Sequence, residues 1–491
     1  MKLCQTVAES SLKALRAERD AVRPGGPVSL VELRLDHLAA GELDVAGALE
    51  GRALPAIVTC RPVRQGGKFD GSEEARLRVL RDAARLGAEF VDVEFDAALT
   101  LTGTRTVISH HDFTPGIPAD LADRVRAMRA RASANTAGGA NSATRGTNDA
   151  IVKIAITADR PRDCVTLREV LFGAGDATAG TIGIAMGDAG ALSRMLPAKF
   201  SGDWMYAGSA APGQFSAAEM AERFRVHEVT TRTRTFAIAG RPLSHSASPA
   251  MHNAAFRHAG IDAVFVPVDT ADAAELRDIA ESLGIEGLSV TAPLKAAVMS
   301  FADVDDASRS IGAINTLKRV GNRWEGRNFD APAFREPLDG WLSDRRDLRV
   351  IVLGAGGAAR AAVTELLAAG CNVEISARDA GKAAALAAEL GAGMTTFPPS
   401  GSAALIVNAT SAGTRGSTSP IPRGSVIAEI AYDLVYNPAN TAFLDDAQRS
   451  GARTIGGLAM LVAQARRQFE WWTGVPVPKE VFEQAAREFI R

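Results

Sequence analysis

The sequence predicts an α/β protein in which an N-terminal (β/α)8 barrel is fused to a two-domain unit that contains a Rossmann nucleotide-binding domain. Apolar runs and helical stretches alternate over about the first 220 residues, which is the pattern of parallel βαβ units. The alternation restarts near residue 235, and a strand ending in a glycine-rich turn follows near residue 350. A chain of 491 residues is also long enough for about three domains.

Eight apolar runs are the predicted strands of the barrel. Between most of them lies a segment long enough for a helix, such as Glu73–Leu86 or Arg162–Phe172. Eight such units are typical of a (β/α)8 barrel. The stretch Ala130–Asn148 is rich in Ala, Gly, Ser, Thr and Asn and is predicted to be a mobile surface loop before the sixth strand. The predicted strands are Lys2–Val7, Val28–Leu35, Ala56–Cys60, Phe90–Phe95, Thr104–Ser109, Ala150–Thr157, Thr181–Met186 and Trp204–Ala207.

The second half of the chain begins with a predicted strand at Phe236–Ala239, and two αβ repeats follow. A strand at Leu348–Gly354 then leads through the turn GAGGAAR into an Ala-rich helix at Ala361–Ala369 and a strand at Val373–Ser376. This order is that of a nucleotide-binding βαβ unit. The tail, Leu458–Arg491, is helical by pattern.

The composition gives no reason to expect a nucleic acid or a membrane as a partner. The 55 Lys and Arg nearly balance the 57 Asp and Glu, only 5% of residues are aromatic, and no uncharged apolar run approaches the roughly 20 residues of a membrane span. The four cysteines are scattered and form no metal-binding motif, so no metal is predicted. The first residues, MKLCQTVAESSLKAL, contain no apolar signal-peptide core. We therefore expect a cytoplasmic protein whose partners are small molecules.

Polar side chains interrupt or follow the barrel strands at the ends where such barrels carry active sites. Lys153 interrupts the apolar run IVKIAIT, and it is either an edge residue that extends to water or a desolvated amine that attacks a ketone. His111 is either a loop residue or a group that moves protons at neutral pH. Arginines around such an amine would hold a carboxylate by paired hydrogen bonds. The other polar residues of this set are Glu32, Arg34, Arg61, Arg194 and Gln214.

Six motifs of the first half resemble, in the same order, those of the type I 3-dehydroquinate dehydratases: ELRLD, TCRP with GGKFDGSEEARL, SHHDF, VKIA, GIAMGDAGALSR and APGQ. The resemblance spans about residues 1–220. It implies that Lys153 forms a Schiff base with the substrate and that His111 is the general acid and base. It also implies that the substrate is bound by Glu32, Arg34, Arg61, Arg194 and Gln214.

Two positions depart from this family. Many members have Glu where Gln65 precedes the Gly pair, so a carboxylate that could orient the histidine is replaced here. Some members have Ser where Ala210 stands. We expect activity, with these two positions as candidates for tuning its rate.

The turn GAGGAAR follows a strand and opens a helix, which is the context of a dinucleotide site. Its glycines allow a tight turn and a close approach of backbone N–H groups to a pyrophosphate. The next strand ends in SARD, followed by GK, so that Arg378 and Lys382 are placed for a 2′-phosphate, which favours NADP over NAD. Asp379 conflicts mildly with this prediction, and the alternative is that Arg378 is only solvated.

A Lys and an Asp that meet over a hydroxyl can pass its proton during a hydride transfer. Lys295 in SVTAPLK and Asp330 in GRNFD are candidates for this pair; the alternatives are a surface lysine and a helix cap. Upstream, the segment SHSAS supplies the hydroxyls of Ser246 and Ser248, which are spaced to bind a polyol or a carboxylate.

These motifs, together with NATSAG, DLVYNPANTAFL and GGLAMLVAQARRQFEWWTG, are similar to those of the shikimate dehydrogenases across about residues 235–490. The resemblance implies that Lys295 and Asp330 form the catalytic pair. It implies that the substrate is bound by Ser246, Ser248, Thr291, Asn315, Asp330 and Gln464. It implies that NADP is bound by Gly354, Ala355, Gly356, Gly357, Ala358, Arg378, Lys382, Thr410 and Met460.

Three positions depart from this second family. The usual NTDG is NFDA here, so Phe329 stands beside Asp330 and puts the preference between shikimate and quinate in question. The usual NRT is ARD at Ala377–Asp379, which leaves the strictness for NADP open. Ser289 replaces the usual Asn, as in some members.

Together, the two resemblances imply a bifunctional enzyme that dehydrates 3-dehydroquinate to 3-dehydroshikimate and reduces this product with NADPH to shikimate. Fusion raises the local concentration of the intermediate and does not by itself imply channelling. Two alternatives are that the second unit is a quinate or polyol dehydrogenase, and that the chain is a non-catalytic ligand sensor. The predicted domains are residues 1–225 for the barrel, residues 232–335 with 463–491 for the substrate-binding domain, and residues 336–462 for the Rossmann domain.

Overall fold

The computed structural model of the chain describes residues 1–137, 150–173, 175, 178, 180–211, 213–343, 345–416 and 418–490. The pattern of contacts between residues divides the chain into two compact units. The first comprises Met1–Thr233 together with Arg277–Leu283, and the second comprises Arg234–Leu276 together with Gly284–Arg491. Among the described residues, no helix is long and apolar enough to span a membrane.

Eight parallel strands form the sheet of the first unit: β1 (Lys2–Val7), β2 (Val28–Arg34), β3 (Ala56–Thr59), β4 (Phe90–Glu94), β5 (Arg105–Pro115), β6 (Ile151–Thr157), β7 (Thr181–Met186) and β8 (Trp204–Ala207). Their order in the sheet is β7-β6-β5-β4-β3-β2-β1-β8. Strands β3, β6 and β7 are buried along almost their whole length, as expected for strands covered on both faces. The Gly183 N–H in β7 donates to the Phe200 carbonyl shortly before β8 at 2.8 Å, so the sheet is nearly closed into the predicted barrel.

In the described part of this unit, the α-helices that accompany these strands are α1 (Leu12–Ala21), α2 (Val45–Leu49), α3 (Glu73–Arg85), α4 (Leu121–Ala137), α5 (Arg162–Phe172) and α6 (Ala191–Met195). The hydroxyls of Ser11 and Ser72 accept backbone N–H groups of the first turn and so cap α1 and α3. The eight predicted strands are confirmed to within one residue at each end, except that β5 continues to Pro115. The apolar run ends at Ser109, but the polar segment beyond it still pairs with β6.

The prediction of a surface loop at Ala130–Asn148 is wrong for its first part. Helix α4 runs to Ala137, so the stretch begins as a helix. Ala and Arg favour the helix. The Arg131 guanidinium also anchors this turn by donating to four backbone carbonyls after β4, those of Glu94, Phe95, Ala97 and Leu99. Residues 138–148 lie outside the described residues.

The second unit contains two sheets, and the first is mixed. Its strands are β9 (Arg234–Gly240), β10 (Ala263–Asp269), β11 (Ile285–Val290), β12 (Asp303–Val304), β13 (Thr316–Val320) and β14 (Arg323–Arg327), in the order β10-β9-β11-β13-β14-β12. Strand β13 is antiparallel to both of its neighbours. The helices along this part of the chain are α7 (Ser248–His258), α8 (Ala273–Ser282), α9 (Asp306–Ile311), α10 (Asp330–Arg335) and α11 (Asp339–Leu342).

The second sheet is wholly parallel and confirms the predicted Rossmann fold. Its strands are β15 (Arg349–Leu353), β16 (Asn372–Ser376), β17 (Gly393–Met394), β18 (Gly401–Asn408), β19 (Val426–Asp433) and β20 (Arg453–Ile455), in the order β17-β16-β15-β18-β19-β20. The accompanying helices are α12 (Gly357–Ala368), α13 (Ala380–Leu390) and α14 (Ala442–Arg449). The strand order reverses between β15 and β18, and ligands of such sheets bind beyond the carboxyl ends of the strands at this point.

The helical tail returns to the first sheet of the second unit. Helices α15 (Leu458–Thr473) and α16 (Lys479–Ile490) contribute Phe469 and Phe482 to the core that β9, β10 and α7 build from Phe236, Phe265 and Phe256. The return brings α15 beside β11, where Gln468 reaches the Ser289 hydroxyl at 3.2 Å. The predicted domain boundaries at residues 225, 335 and 462 stay predictions.

Candidate active sites

One cavity in the first unit collects every barrel residue that the sequence singled out. Strands β5 and β6 place His111 and Lys153 on the inner face of the sheet, because alternate residues of a strand share a face. Lys153 is only 4% exposed on a strand that pairs on both sides, so the edge-residue interpretation is wrong. His111 is part of β5 and not a loop residue. The predicted residues that line this cavity are Glu32, Arg34, Arg61, His111, Lys153, Arg194 and Gln214.

The amine of Lys153 lies among charged groups rather than in an apolar pocket. Its Nζ donates to Asp92 Oδ2 at 3.1 Å and lies 3.8 Å from Glu32 Oε1. The same nitrogen lies 4.1 Å from the centre of the Tyr206 ring, which is within cation–π distance. The carboxylates and the aromatic face together hold the amine at one place in the cavity.

Asp92 is the residue of this site that sequence reasoning missed. Arg61 Nη2 lies 2.8 Å from Asp92 Oδ2, and the Ser109 hydroxyl donates to Oδ1. Burial by itself raises the pKa of Asp92, but the charges of Arg61 and Lys153 outweigh it and hold the pKa below its usual range. The signal was the segment VDVEF, in which two acids alternate with apolar residues on one strand and therefore share its inner face.

His111 is held in its neutral form. Burial lowers its pKa well below the usual range, and the charges of Arg61 and Lys153 lower it further. Its Nδ1 is buried and has no hydrogen-bond partner within the described part of the chain. Gln65, the position that departs from the first family, accepts the backbone N–H of His111 at 3.2 Å. Gln65 therefore holds the strand segment through the backbone of His111.

The remaining cationic groups of the cavity differ in how they are paired. Arg34 donates twice to Asp36, at 2.9 and 2.7 Å. Arg194 is 2% exposed, and burial lowers its pKa to about 10 because Asp188 and the Cys164 thiol offset burial only partly. Arg194 thus carries a buried charge that its charged neighbours offset only in part, which suits it to an anionic ligand.

A second cavity, in the second unit, collects the residues predicted from its other motifs. Lys295 Nζ lies 2.5 Å from Asp330 Oδ2, and Asn315 Nδ2 donates to Asp330 Oδ1 at 2.8 Å. The interpretation of Lys295 as a surface residue is wrong, and so is that of Asp330 as a helix cap, since Phe329 holds the cap position of α10. The predicted residues that line this cavity are Ser246, Ser248, Thr291, Lys295, Asn315, Asp330, Ala358, Met460 and Gln464.

The glycine-rich turn lies against this cavity and needs its glycines. Gly354 has φ +108°, and a Cβ there would lie 3.1 Å from the Ala409 carbonyl and from Thr410 Cγ2. A Cβ at Gly357 would lie 3.1 Å from Cδ of Lys295. Helix α12 begins at Gly357 and has no side-chain cap, so its first N–H groups are available to an anion.

Two residues that follow strand β16, Arg378 and Lys382, were predicted to bind a 2′-phosphate. Both residues are exposed. The Asp379 carboxylate, which conflicted with that prediction, accepts the backbone N–H of Lys382 at 3.0 Å and caps α13. Asp379 therefore has a structural role as the cap of this helix. The 2′-phosphate site itself stays a prediction.

Phe329, another departure from the second family, does not line the second cavity, whereas Ser289 does. Its ring packs at 5.7 Å against Trp471, and its backbone N–H donates to Asn315 Oδ1 at 2.8 Å. Tyr436 does line the cavity and was missed as a site residue, although it lies in the motif DLVYNPANTAFL. Its hydroxyl donates to the His245 carbonyl at 3.2 Å.

The folds and cavities define the class of protein: a lysine-bearing barrel enzyme joined to a nucleotide-dependent dehydrogenase. The sequence model of the type I 3-dehydroquinases matches residues 3–231, that of the shikimate dehydrogenase substrate-binding domain matches residues 238–317, and that of the shikimate 5′-dehydrogenase C-terminal domain matches residues 457–487. The chain belongs to the shikimate dehydrogenase family and carries a type I 3-dehydroquinase domain before it, which makes it a bifunctional enzyme.

Individual relatives agree with this assignment. A chloroplastic bifunctional 3-dehydroquinate dehydratase/shikimate dehydrogenase of Arabidopsis thaliana is 29% identical over 99% of this chain and 84% of its own length. A shikimate dehydrogenase (NADP(+)) of Shouchella clausii is 36% identical over 52% of this chain and 98% of its own length. A crystal structure of shikimate dehydrogenase in complex with NADP+ is 33% identical, covers 53% of this chain and 97% of its own, and has a TM-score of 0.50.

Proposed function

We propose that the chain carries out two successive reactions: the barrel dehydrates 3-dehydroquinate to 3-dehydroshikimate, and the second unit reduces that ketone with NADPH to shikimate. One observation carries the proposal, which is that each cavity holds a reacting pair. Lys153 and His111 line the first cavity, and Lys295 and Asp330 are in contact in the second. The non-catalytic sensor has no such support, because a protein that only binds a ligand does not need these pairs.

In the barrel, we propose that Lys153 attacks the ketone carbon and that water leaves as the C=N bond forms. The imine accepts electrons when a proton is removed from the neighbouring carbon. The hydroxyl on the next carbon then leaves as water, and hydrolysis of the imine releases the enone and the lysine. The net change is the loss of one water.

The neutral ring of His111 suits the base in this step, because a base must be unprotonated to take the proton. The same ring can return that proton to the leaving hydroxyl. Arg194 suits the substrate carboxylate, since its buried charge is only partly compensated. We also assign substrate contacts to Glu32, Arg34, Arg61 and Gln214.

The second unit fits NADP. The uncapped start of α12 and the turn at Gly354 to Ala358 would hold the pyrophosphate, and the exposed cations Arg378 and Lys382 would hold the 2′-phosphate. Thr410, beside Gly354, and Met460, in the cavity wall, complete the proposed cofactor contacts. The bound cofactor supplies the hydride that reduces the ketone.

Reduction of the ketone also needs a proton on its oxygen. Lys295 is placed to donate that proton, and the carboxylate of Asp330 at 2.5 Å keeps the amine oriented. Asn315 holds the other oxygen of Asp330. We assign the hydroxyls of the ring to Ser246, Ser248, Thr291, Asn315 and Gln464.

We further propose that the enzyme works in the cytoplasm. All four cysteines are buried thiols without a disulfide, a state that a reducing compartment preserves. Cell fractionation with detection of the chain checks this proposal, and recovery of the chain outside the soluble cytoplasmic fraction would overturn it.

Two complementary variants test the assignment of one reaction to each cavity. We expect Lys153→Ala to stop NADPH consumption from 3-dehydroquinate but not from 3-dehydroshikimate. We expect Lys295→Ala to accumulate 3-dehydroshikimate, and a mixture of both variants to restore shikimate formation. Lys13→Ala, at an exposed position of α1, is the matched control and retains both rates.

The two-cavity assignment fails if folded Lys153→Ala loses both reactions together. Quinate and NAD provide the second arm of the same assay. Faster oxidation of quinate than of shikimate would identify the second unit as a polyol dehydrogenase instead.

A further inference from the structure

Gln468 lies behind the second cavity and does not line it. It is fully buried on α15, one turn beyond Gln464. Its Nε2 donates to Thr316 Oγ1 at 2.8 Å, and it lies 3.2 Å from both Ser289 Oγ and the Asn315 carbonyl. Three acceptors from β11 and the start of β13 thus converge on one amide nitrogen.

Two hydrogen bonds to its side-chain oxygen determine which way the Asn315 amide points. The Thr316 hydroxyl donates to Asn315 Oδ1 at 2.9 Å, and the Phe329 backbone N–H donates to the same oxygen at 2.8 Å. With both donors on Oδ1, the Nδ2 of Asn315 must point to Asp330 Oδ1, at 2.8 Å. A reversed amide would place two oxygens against each other at the reacting carboxylate.

The other end of the Gln468 side chain lies beside the buried ring of His252. Burial lowers the pKa of His252 to about 3, and a smaller effect of Gln468 raises it. The His252 ring stacks on Phe265 at 4.4 Å. Among the described residues, neither the His252 nitrogens nor Gln468 Oε1 has a well-formed hydrogen bond. The three acceptors around Nε2 are therefore the contacts that orient the Gln468 amide.

We propose that Gln468 is a positioning residue for the reduction: through Thr316 it fixes the direction of the Asn315 amide, which holds the Asp330 carboxylate against Lys295. This inference rests on the roles proposed above for Lys295 and Asp330. Gln468 acts only through other residues, because it touches neither the cavity nor the reacting pair.

Three variants test the relay in the reduction of 3-dehydroshikimate. Gln468→Met and Thr316→Val keep the volume but remove a donor, and each should lower kcat on the order of tenfold to a hundredfold, the range for small misplacements of a reacting group. The KM for NADPH should stay near wild type, because neither side chain lines the cavity. The melting temperature should fall on the order of a few degrees, because a buried acceptor is left without its donor. Thr316→Ser keeps the hydroxyl and should restore the rate.

A double variant that measures the coupling between Gln468 and Thr316 completes the test. Because both residues act in one chain of hydrogen bonds, the double variant should be no slower than the worse single variant. A folded Gln468→Met enzyme with the wild-type kcat would overturn the relay, and so would a Thr316→Ser variant as slow as Thr316→Val. The wild-type rate in the same assay tests the proposed function separately.

Discussion

At the residue scale, the Lys153 amine lies in a buried cluster of two cations and two acids. Its Nζ donates to Asp92 Oδ2 at 3.1 Å and lies 3.8 Å from Glu32 Oε1, and Arg61 shares the Asp92 carboxylate. The amine proposed to attack the ketone is therefore held in place by neighbouring charges. Removing one partner from such a cluster typically costs about 3–5 kcal/mol, because a buried charge is left without compensation.

His252 gives the second unit a defined acid sensitivity. Its pKa in the folded chain is about 3, whereas an unfolded histidine titrates near 6.5, so the unfolded state takes up a proton first as the pH falls. The stability that this residue contributes is complete above about pH 6.5 and is lost toward pH 3, by about 1.4 kcal/mol per pH unit. We expect His252→Phe, which suits the aromatic surroundings, to remove this slope in urea unfolding followed by tryptophan fluorescence.

His258, at the exposed end of the same helix, provides the control. His258→Gln should keep the wild-type dependence of the unfolding free energy on pH. Equal slopes for wild type and His252→Phe between pH 6.5 and pH 4 would contradict the account of a neutral, buried imidazole.

Among the elements, the β15–α12 turn is the most sensitive to a single methyl group. Gly354→Ala must hold φ +108°, which costs about 1–2 kcal/mol, and its Cβ meets the Ala409 carbonyl and Thr410. We expect the KM for NADPH to rise at least about tenfold, since a small displacement of this turn moves the N–H groups that face the pyrophosphate. Dehydration of 3-dehydroquinate should not change.

A second glycine separates backbone strain from the effect on the turn. Gly391, after α13, also has a positive φ, +75°, but nothing lies within 4 Å of the position of its Cβ. Gly391→Ala should lose a similar amount of stability and keep the wild-type KM for NADPH. If both variants bind NADPH equally well, the turn does not have the role proposed for it.

Over the whole molecule, the strands were the most predictable feature, because a strand covered on both faces must be apolar. The same rule explains why the predicted β5 was too short, since the end of this strand that lines the cavity is polar. It also explains why Asp92 was missed, since it lies within an apolar run that was expected to pack in the core. Helix α4 continued past Ala130 because Arg131 finds carbonyl partners far along the chain, which no local pattern reveals. The Gln468 relay joins residues about 150 positions apart, so only the fold could disclose it.

The residues that line the two cavities could be singled out from the sequence because most of them follow or interrupt a strand in a recognisable motif, and their roles stay proposals. Some of their partners were not predictable. Asp92 beside Lys153 and Trp471 against Phe329 depend on distances that spacing alone does not supply. Asp36 on Arg34 and Asp379 as the cap of α13 are local contacts, two and three residues from their partners. Two of the departures from the families therefore affect the second cavity less than the sequence suggested. Phe329 does not line the cavity, and Asp379 caps helix α13.

In the proposed function, one chain converts 3-dehydroquinate to shikimate in two steps. The most direct test is a progress curve in which the purified wild-type protein receives 3-dehydroquinate and NADPH, while NADPH absorbance and shikimate are followed together. We predict a short lag, as the intermediate forms, and then equal amounts of NADPH consumed and shikimate produced. Absence of NADPH loss, both from 3-dehydroquinate and after addition of 3-dehydroshikimate, would contradict the claim, as would NADPH loss without shikimate.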